Sequence, residues 1–199
     1  MTINFANNNS LANITSLPVS ITGGGLTLVS SQTASASASL EFSMDSTYDS
    51  YVFKFINIHP SVDDANFEFN MSTDSGSNYN VTKTTTYVGS VHNENDASAS
   101  LFYSTGNDLA QSTNYQNIGG GTGTDSDQNC SGYMQIFNPS SSTYVKHFLT
   151  NINTVQAGDV SLNVRTAGYG NTTSPVTNLK FQFLSGNIDD GIIKMYGVS

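Results

Sequence analysis

Short runs in which apolar and polar residues alternate recur along most of this chain. In residues 38–44, Leu40, Phe42 and Met44 share one face of an extended segment. In residues 51–58, Tyr51, Phe53 and Phe55 fall on one side and Val52, Ile56 and Ile58 on the other. Apolar residues on both sides predict a strand covered on both faces. Residues 66–71 alternate again, and 79–88 is rich in β-branched and aromatic side chains, which favour strands. Segments 133–138, 144–150, 159–165, 179–185 and 191–198 complete the strand pattern. Stretches 33–40 and 96–101 alternate Ala with Ser and predict thin, small-residue strands. Between these runs, 74–78, 138–142 and 185–191 concentrate Gly, Asn, Asp and Ser, residues that tolerate left-handed backbone or fold onto their own amides.

Helix signals are weak. The chain is dense in Ser, Thr, Asn and Gly, which oppose helix interiors. Roughly nine to eleven strands with no strong helix predict an all-β domain: two packed antiparallel sheets forming a jelly-roll-like β-sandwich. We assign that single domain to residues 26–199. Residues 1–25 read differently. They are Asn-rich, contain Pro18 and end in a triple glycine, so they predict an extended N-terminal arm that orders against a partner or against the domain.

Charge narrows the function. The chain of 199 residues carries a net charge of −9 on six basic residues that are scattered singly in sequence. Nucleic-acid binding and anionic-membrane binding both need clustered Lys and Arg, so neither is expected. The first residues lack a basic segment followed by an apolar core, so no secretory signal is expected, and no apolar run is long enough to cross a bilayer. Cys130 is the only cysteine, which rules out a disulfide framework within the chain. The expectation is synthesis in a cytoplasm.

The segment Gly119–Tyr133, GGGTGTDSDQNCSGY, concentrates the candidate chemistry. It lacks the lysine and the following helix of a phosphate-binding loop. Asp125, Asp127 and Asn129 fall at the alternating positions of a calcium loop. They are the candidate metal ligands, with calcium the one cofactor considered. Cys130 stands where that loop needs glycine, and Ile136 where it needs glutamate. The segment is therefore expected to be a long polar connection between strands. His92, Glu94 and Asp96 would share one face of a strand, a spacing suited to a divalent ion, but they are expected to be a polar strand edge or loop facing water. Glu68 lies between Phe67 and Phe69 and is expected to face out of an alternating strand. No nucleophile–base motif occurs, so no catalytic residue and no enzyme activity are expected. Tyr79, Tyr103, Tyr115 and Tyr169 lie near loops or strand ends; they are expected to be ordinary half-buried tyrosines of the sandwich, with interface contact or sugar stacking the functional alternative.

Three long segments carry a family resemblance: STYDSYVFKFINIHPS (46–61), DSDQNCSGYMQIFNPSSSTYVKHF (125–148) and SGNIDDGIIKMYGV (185–198). They resemble a family of mostly uncharacterised proteins of tailed phages, especially marine ones. The resemblance implies a β-sandwich protein built into the virion as a tail-fibre-like or capsid-exterior component. A single small domain with an arm, and no heptad or collagen-like repeat for a shaft, narrows the expectation to a non-enzymatic capsid decoration, knob or short fibre on the particle exterior. Its partners would be other virion proteins, bound through the N-terminal arm, and copies of itself in a homo-oligomer, with a trimer favoured. The alternative is a tail-fibre protein binding a host-surface glycan or receptor through loops near 106–117 and 119–132. The resemblance brings no site residues with it.

Overall fold

A computed structural model describes residues 25–199, so the expected arm lies outside the described residues apart from its last glycine. Twelve strands fill the described chain: β1 Thr27–Ser37, β2 Leu40–Ser43, β3 Ser50–Pro60, β4 Ala65–Ser72, β5 Lys83–Asn93, β6 Ala99–Tyr103, β7 Gln116–Thr122, β8 Cys130–Phe137, β9 Lys146–Gln156, β10 Val160–Gly170, β11 Asn178–Phe183 and β12 Ile188–Val198. Every pairing is antiparallel, and the described residues contain no helix.

The strands pair in the order β1-β12-β3-β8-β9-β7-β4-β11-β2, and β10, β5 and β6 continue outward from β9. The array curls until its ends meet. Gln32 of β1 donates its side-chain amide to the Glu41 carbonyl of β2 at 2.6 Å. The result is a nearly closed, barrel-like sheet. Within the paired strands the thinnest junction is that of β7 with β9, which share a single pair, Thr122 with Gln156.

The curl is set by aromatic packing. Phe181 of β11 lies with its ring centre between 5.1 and 6.3 Å from those of Phe42, Phe53, Phe55, Phe67 and Phe69. Phe42, Phe67 and Phe69 come from β2 and β4, which flank β11, but Phe53 and Phe55 come from β3, distant from it in pairing order, so β3 and β11 meet across the interior. Offset and edge-to-face contacts of this kind add to the burial of large apolar area. A smaller core of Tyr87, Leu162 and Val164, flanked by Val91 and Phe102, lies under β5, β6 and β10.

Two sequence expectations need correction. β3 is covered on one face only. Ile56 is 36% exposed, and Ile58 reaches the core because Asn57 adopts φ 51° and the register with β8 shifts between Phe55 and Ile58. A bulge changes which face follows, and simple alternation cannot show it. The segment expected as one long connection begins instead as β7, buried along its whole length. Gly121 sits at φ 66°, a conformation that a side chain would strain. Gly132 of β8 lies so close to β9 that a Cβ would stand 2.7 Å from Ile152 Cα.

Acidic charge is sorted along the fold. Asp63 and Asp64 follow β3, Glu94 and Asp96 follow β5, Asp125 and Asp127 precede β8, Asp159 joins β9 to β10, and Asp189 and Asp190 open β12. The registers Pro60 with Ile188, Ile58 with Cys130, Cys130 with Thr154 and Asn93 with Val160 bring all of these to one end. That end holds no lysine or arginine.

Candidate functional site

The side of β4 that faces away from the aromatic core should face water, yet Glu68 is only 6% exposed. Residues 104–115, between β6 and β7, account for this by folding over it. The segment is tied to β5 like an extra strand. Lys83 N donates to Ser112 O at 2.8 Å, Ser112 N donates back to Lys83 O at 3.0 Å, and Thr85 N donates to Leu109 O at 2.9 Å. Gln116 Nε2 and Asn117 Nδ2 each donate at 2.9 Å to Asn107, onto its carbonyl and its side-chain oxygen respectively.

Beneath this cover lies a cavity of about 470 Å³, lined by Asn66, Glu68, Asn107, Asn114, Tyr115 and Asn117 together with Gly106, Leu109, Thr113 and Leu184. Its volume is within the range of small-molecule sites. Some lining groups serve the fold. Asn66 Oδ1 accepts from Gly121 N at 3.0 Å, Asn117 Oδ1 accepts from Gly119 N at 3.1 Å, and Glu68 Oε1 accepts from Gln182 Nε2 at 2.9 Å. Others have no partner among the described residues: Glu68 Oε2, Asn66 Nδ2, the Asn114 side-chain amide and the Tyr115 hydroxyl. Burial pushes the Glu68 carboxyl above the usual carboxylate range, partly offset by the Gln182 bond. Burial also raises the Tyr115 phenol, with the charges of Glu68 and Glu41 adding to the effect. The cavity thus offers donors and acceptors beside one aromatic ring. Vicinal hydroxyl groups on an apolar ring have the same needs.

The sequence-predicted residues fall elsewhere. Asp125, Asp127 and Asn129 lie in the turn before β8, at the acidic end. Gln128 N donates to Asp125 O at 2.8 Å, Asp125 N donates to Gln128 Oε1 at 3.1 Å, and Asn129 Nδ2 donates to Asp127 O at 3.3 Å. Among the described residues, no three His, Cys, Asp or Glu side chains are grouped closely enough to hold a metal ion. His92 pairs with Asp96 at 3.1 Å in solvent, while Glu94 turns its backbone amide to Asp159 O. Cys130 is fully buried, and burial pushes its thiol up to about 12.

Of the four tyrosines singled out, Tyr115 alone lines this cavity. Tyr79 donates to Glu41 Oε2 at 2.9 Å beneath Lys180, Tyr103 donates to Asp108 Oδ2 at 2.6 Å, and Tyr169 sits beside His147 on the outer sheet face. Asn114 belongs to the loop near 106–117 that the sequence offered as a binding segment, whereas Glu68 and Asn66 of β4 were not legible as a site. The one usable signal was the amide-rich composition of 106–117. No protein-family model, curated protein or solved structure matches this chain.

Proposed function

We propose that this chain is a non-enzymatic component displayed on the exterior of a phage virion, and that its Glu68 cavity binds a neutral sugar of a host-surface glycan. The observation that carries the binding function is the cavity itself, with Glu68 Oε2, Asn66 Nδ2, Asn114 and Tyr115 unpartnered beside one another. These groups reach solvent inside the cavity and serve no hydrogen bond of the fold, so sugar hydroxyls can replace water on them without breaking one. Glu68 is the one carboxylate lining the cavity. Glycoside hydrolysis ordinarily needs two carboxyl groups across the scissile bond, so the lining favours binding over cleavage.

The virion setting rests on the resemblance of segments 46–61, 125–148 and 185–198. These become β3, β8 with β9, and β12, which stand consecutively in the sheet as β12-β3-β8-β9. In this reading the strands form a jelly-roll-like sandwich, with β7-β4-β11-β2 as the smaller layer, and residues 1–25 attach it to the particle.

Saturation-transfer NMR with a panel of neutral mono- and oligosaccharides tests the binding function. Transfer to at least one sugar is expected, and its loss in Glu68→Gln and Asn114→Ala variants of unchanged melting temperature. No transfer to any sugar refutes it. Deleting residues 1–25 tests the setting. The domain should stay folded and fail to join virions, and normal incorporation refutes the proposed attachment.

A further inference from the structure

The six basic residues, scattered in sequence, are not scattered in space. Lys83 and Lys146 are fully buried, and Lys180 is paired with Glu41 at 2.7 Å. The other three lie on one rung across the outer face of the sheet. Lys194 pairs with Lys54, Lys54 with Tyr133, Tyr133 with Asn151, and Asn151 with Arg165; the rung then continues through Val88 to Tyr103. Four strand spacings put Lys194 about 19 Å from Arg165. Lys54 Nζ lies 5.4 Å from the centre of the Tyr196 ring.

Exposed apolar groups surround the cations. Tyr133, Leu149, Val88 and Leu101 are 47%, 49%, 43% and 82% exposed. The flanking rungs, Gln135–Leu149–Ala167–Thr86 and Ser131–Asn153–Asn163–Ser90–Leu101, carry no carboxylate. Asp108, held by the Tyr103 hydroxyl, sits at the β6 edge. The exposed tyrosine, aliphatic and Arg side chains match the enriched part of a protein interface, and Lys54 and Lys194, on rungs without carboxylates, add a charge that calls for an acidic partner. An anionic polymer would use the cations but leave Leu101, Leu149 and Val88 without a role.

The complementary surface is on the same molecule. Nine of the fifteen acidic residues gather at one end of the fold, with Val62 exposed among them at 42%. We infer that the Lys54–Lys194–Arg165 face is a docking surface for the acidic end of a second copy of this chain. The two patches differ, so the contact is head-to-tail and closes into a ring or extends as a filament. At physiological ionic strength, screening over about 8 Å leaves local charge matching to act, even between two molecules of the same net sign. This inference does not depend on the Glu68 cavity.

Sedimentation of the full chain over a range of concentration and salt tests it. Self-association is expected at low salt, weakening as salt rises. A face variant (Lys54→Glu with Lys194→Glu) and an end variant (Asp189→Lys with Asp190→Lys) should each weaken it at least about tenfold. Mixing the two variants should restore it, because the reversed face of one then meets the reversed end of the other. Both variants should keep the wild-type unfolding midpoint, which separates a lost contact from a lost fold. A full chain that stays monomeric into the millimolar range at low salt overturns the inference. So does a mixture that fails to associate. Binding of dextran sulfate through the same residues without self-association assigns the face to a polyanion instead. Association that appears only after residues 1–24 are removed assigns it to that segment, and either result is a refutation.

Discussion

Replacing Lys83 by Met should flatten the rise of stability with pH. The Lys83 ammonium is fully buried and donates to Asn70 Oδ1 at 2.5 Å and to Val81 O at 2.8 Å. No carboxylate faces it among these bonds, and burial lowers its pKa from 10.5 to about 7. The unfolded chain therefore binds more protons than the folded one between pH 7 and 10.5, and stability rises with pH through that window. Below pH 7 the full cost of the buried charge is present. One proton corresponds to at most about 1.4 kcal/mol per pH unit, and integration from pH 7 to 9 gives about 2 kcal/mol. Lys146, also lowered by burial, adds a parallel rise, so the informative quantity is the difference between wild type and variant. Urea unfolding at pH 7, 8 and 9 measures it directly. The variant should lose about 2 kcal/mol of the gain between pH 7 and 9 with an unchanged m value. Equal slopes in the two proteins would show that Lys83 keeps an ordinary pKa, and would refute the reasoning.

Further predictions follow from the core and the cavity. Glu68→Gln keeps the acceptor for Gln182 and removes a buried carboxylate, so it should weaken sugar binding at least about tenfold without lowering stability at pH 7; calorimetric titration and melting together check both parts. Phe181→Ala removes the ring on which five others pack and should cost about 3–5 kcal/mol, read from the urea midpoint. Gly132→Ala would drive a Cβ into the β9 backbone at Asn151 and Ile152 and should cost about 3 kcal/mol, and a wild-type melting temperature would refute that close approach. Cys130, buried with its thiol held up at about 12, should resist an aromatic disulfide reagent at pH 8 until the protein unfolds.

The alternating runs determined the strands. Nine of the twelve strands overlap segments whose period-two pattern or β-branched content announced them, and β1 and β6 overlap the two Ala-Ser stretches. Local periodicity suffices there because a strand with one buried face must repeat every second residue. β7 escaped because Gln-Asn-Ile followed by three glycines has no alternation. It is buried on both sides by neighbours that only the fold brings there. Ile58 was assigned to the wrong face because a single bulge at Asn57 inverts the count.

The functional candidates show the same division. By itself, the sequence determined that Glu68 points away from its phenylalanine neighbours, that the basic residues are few and that the chain is all-β. It could not show that residues 104–115 cover Glu68, because that contact depends on a segment some forty positions away folding across β4. Nor could it show that Lys54, Arg165 and Lys194 share one rung, since register between distant strands is settled by packing of the whole core. Side-chain direction is local and was written in the pattern. What covers a side chain, and which charge stands beside which, is non-local, and only the closed sheet decided it.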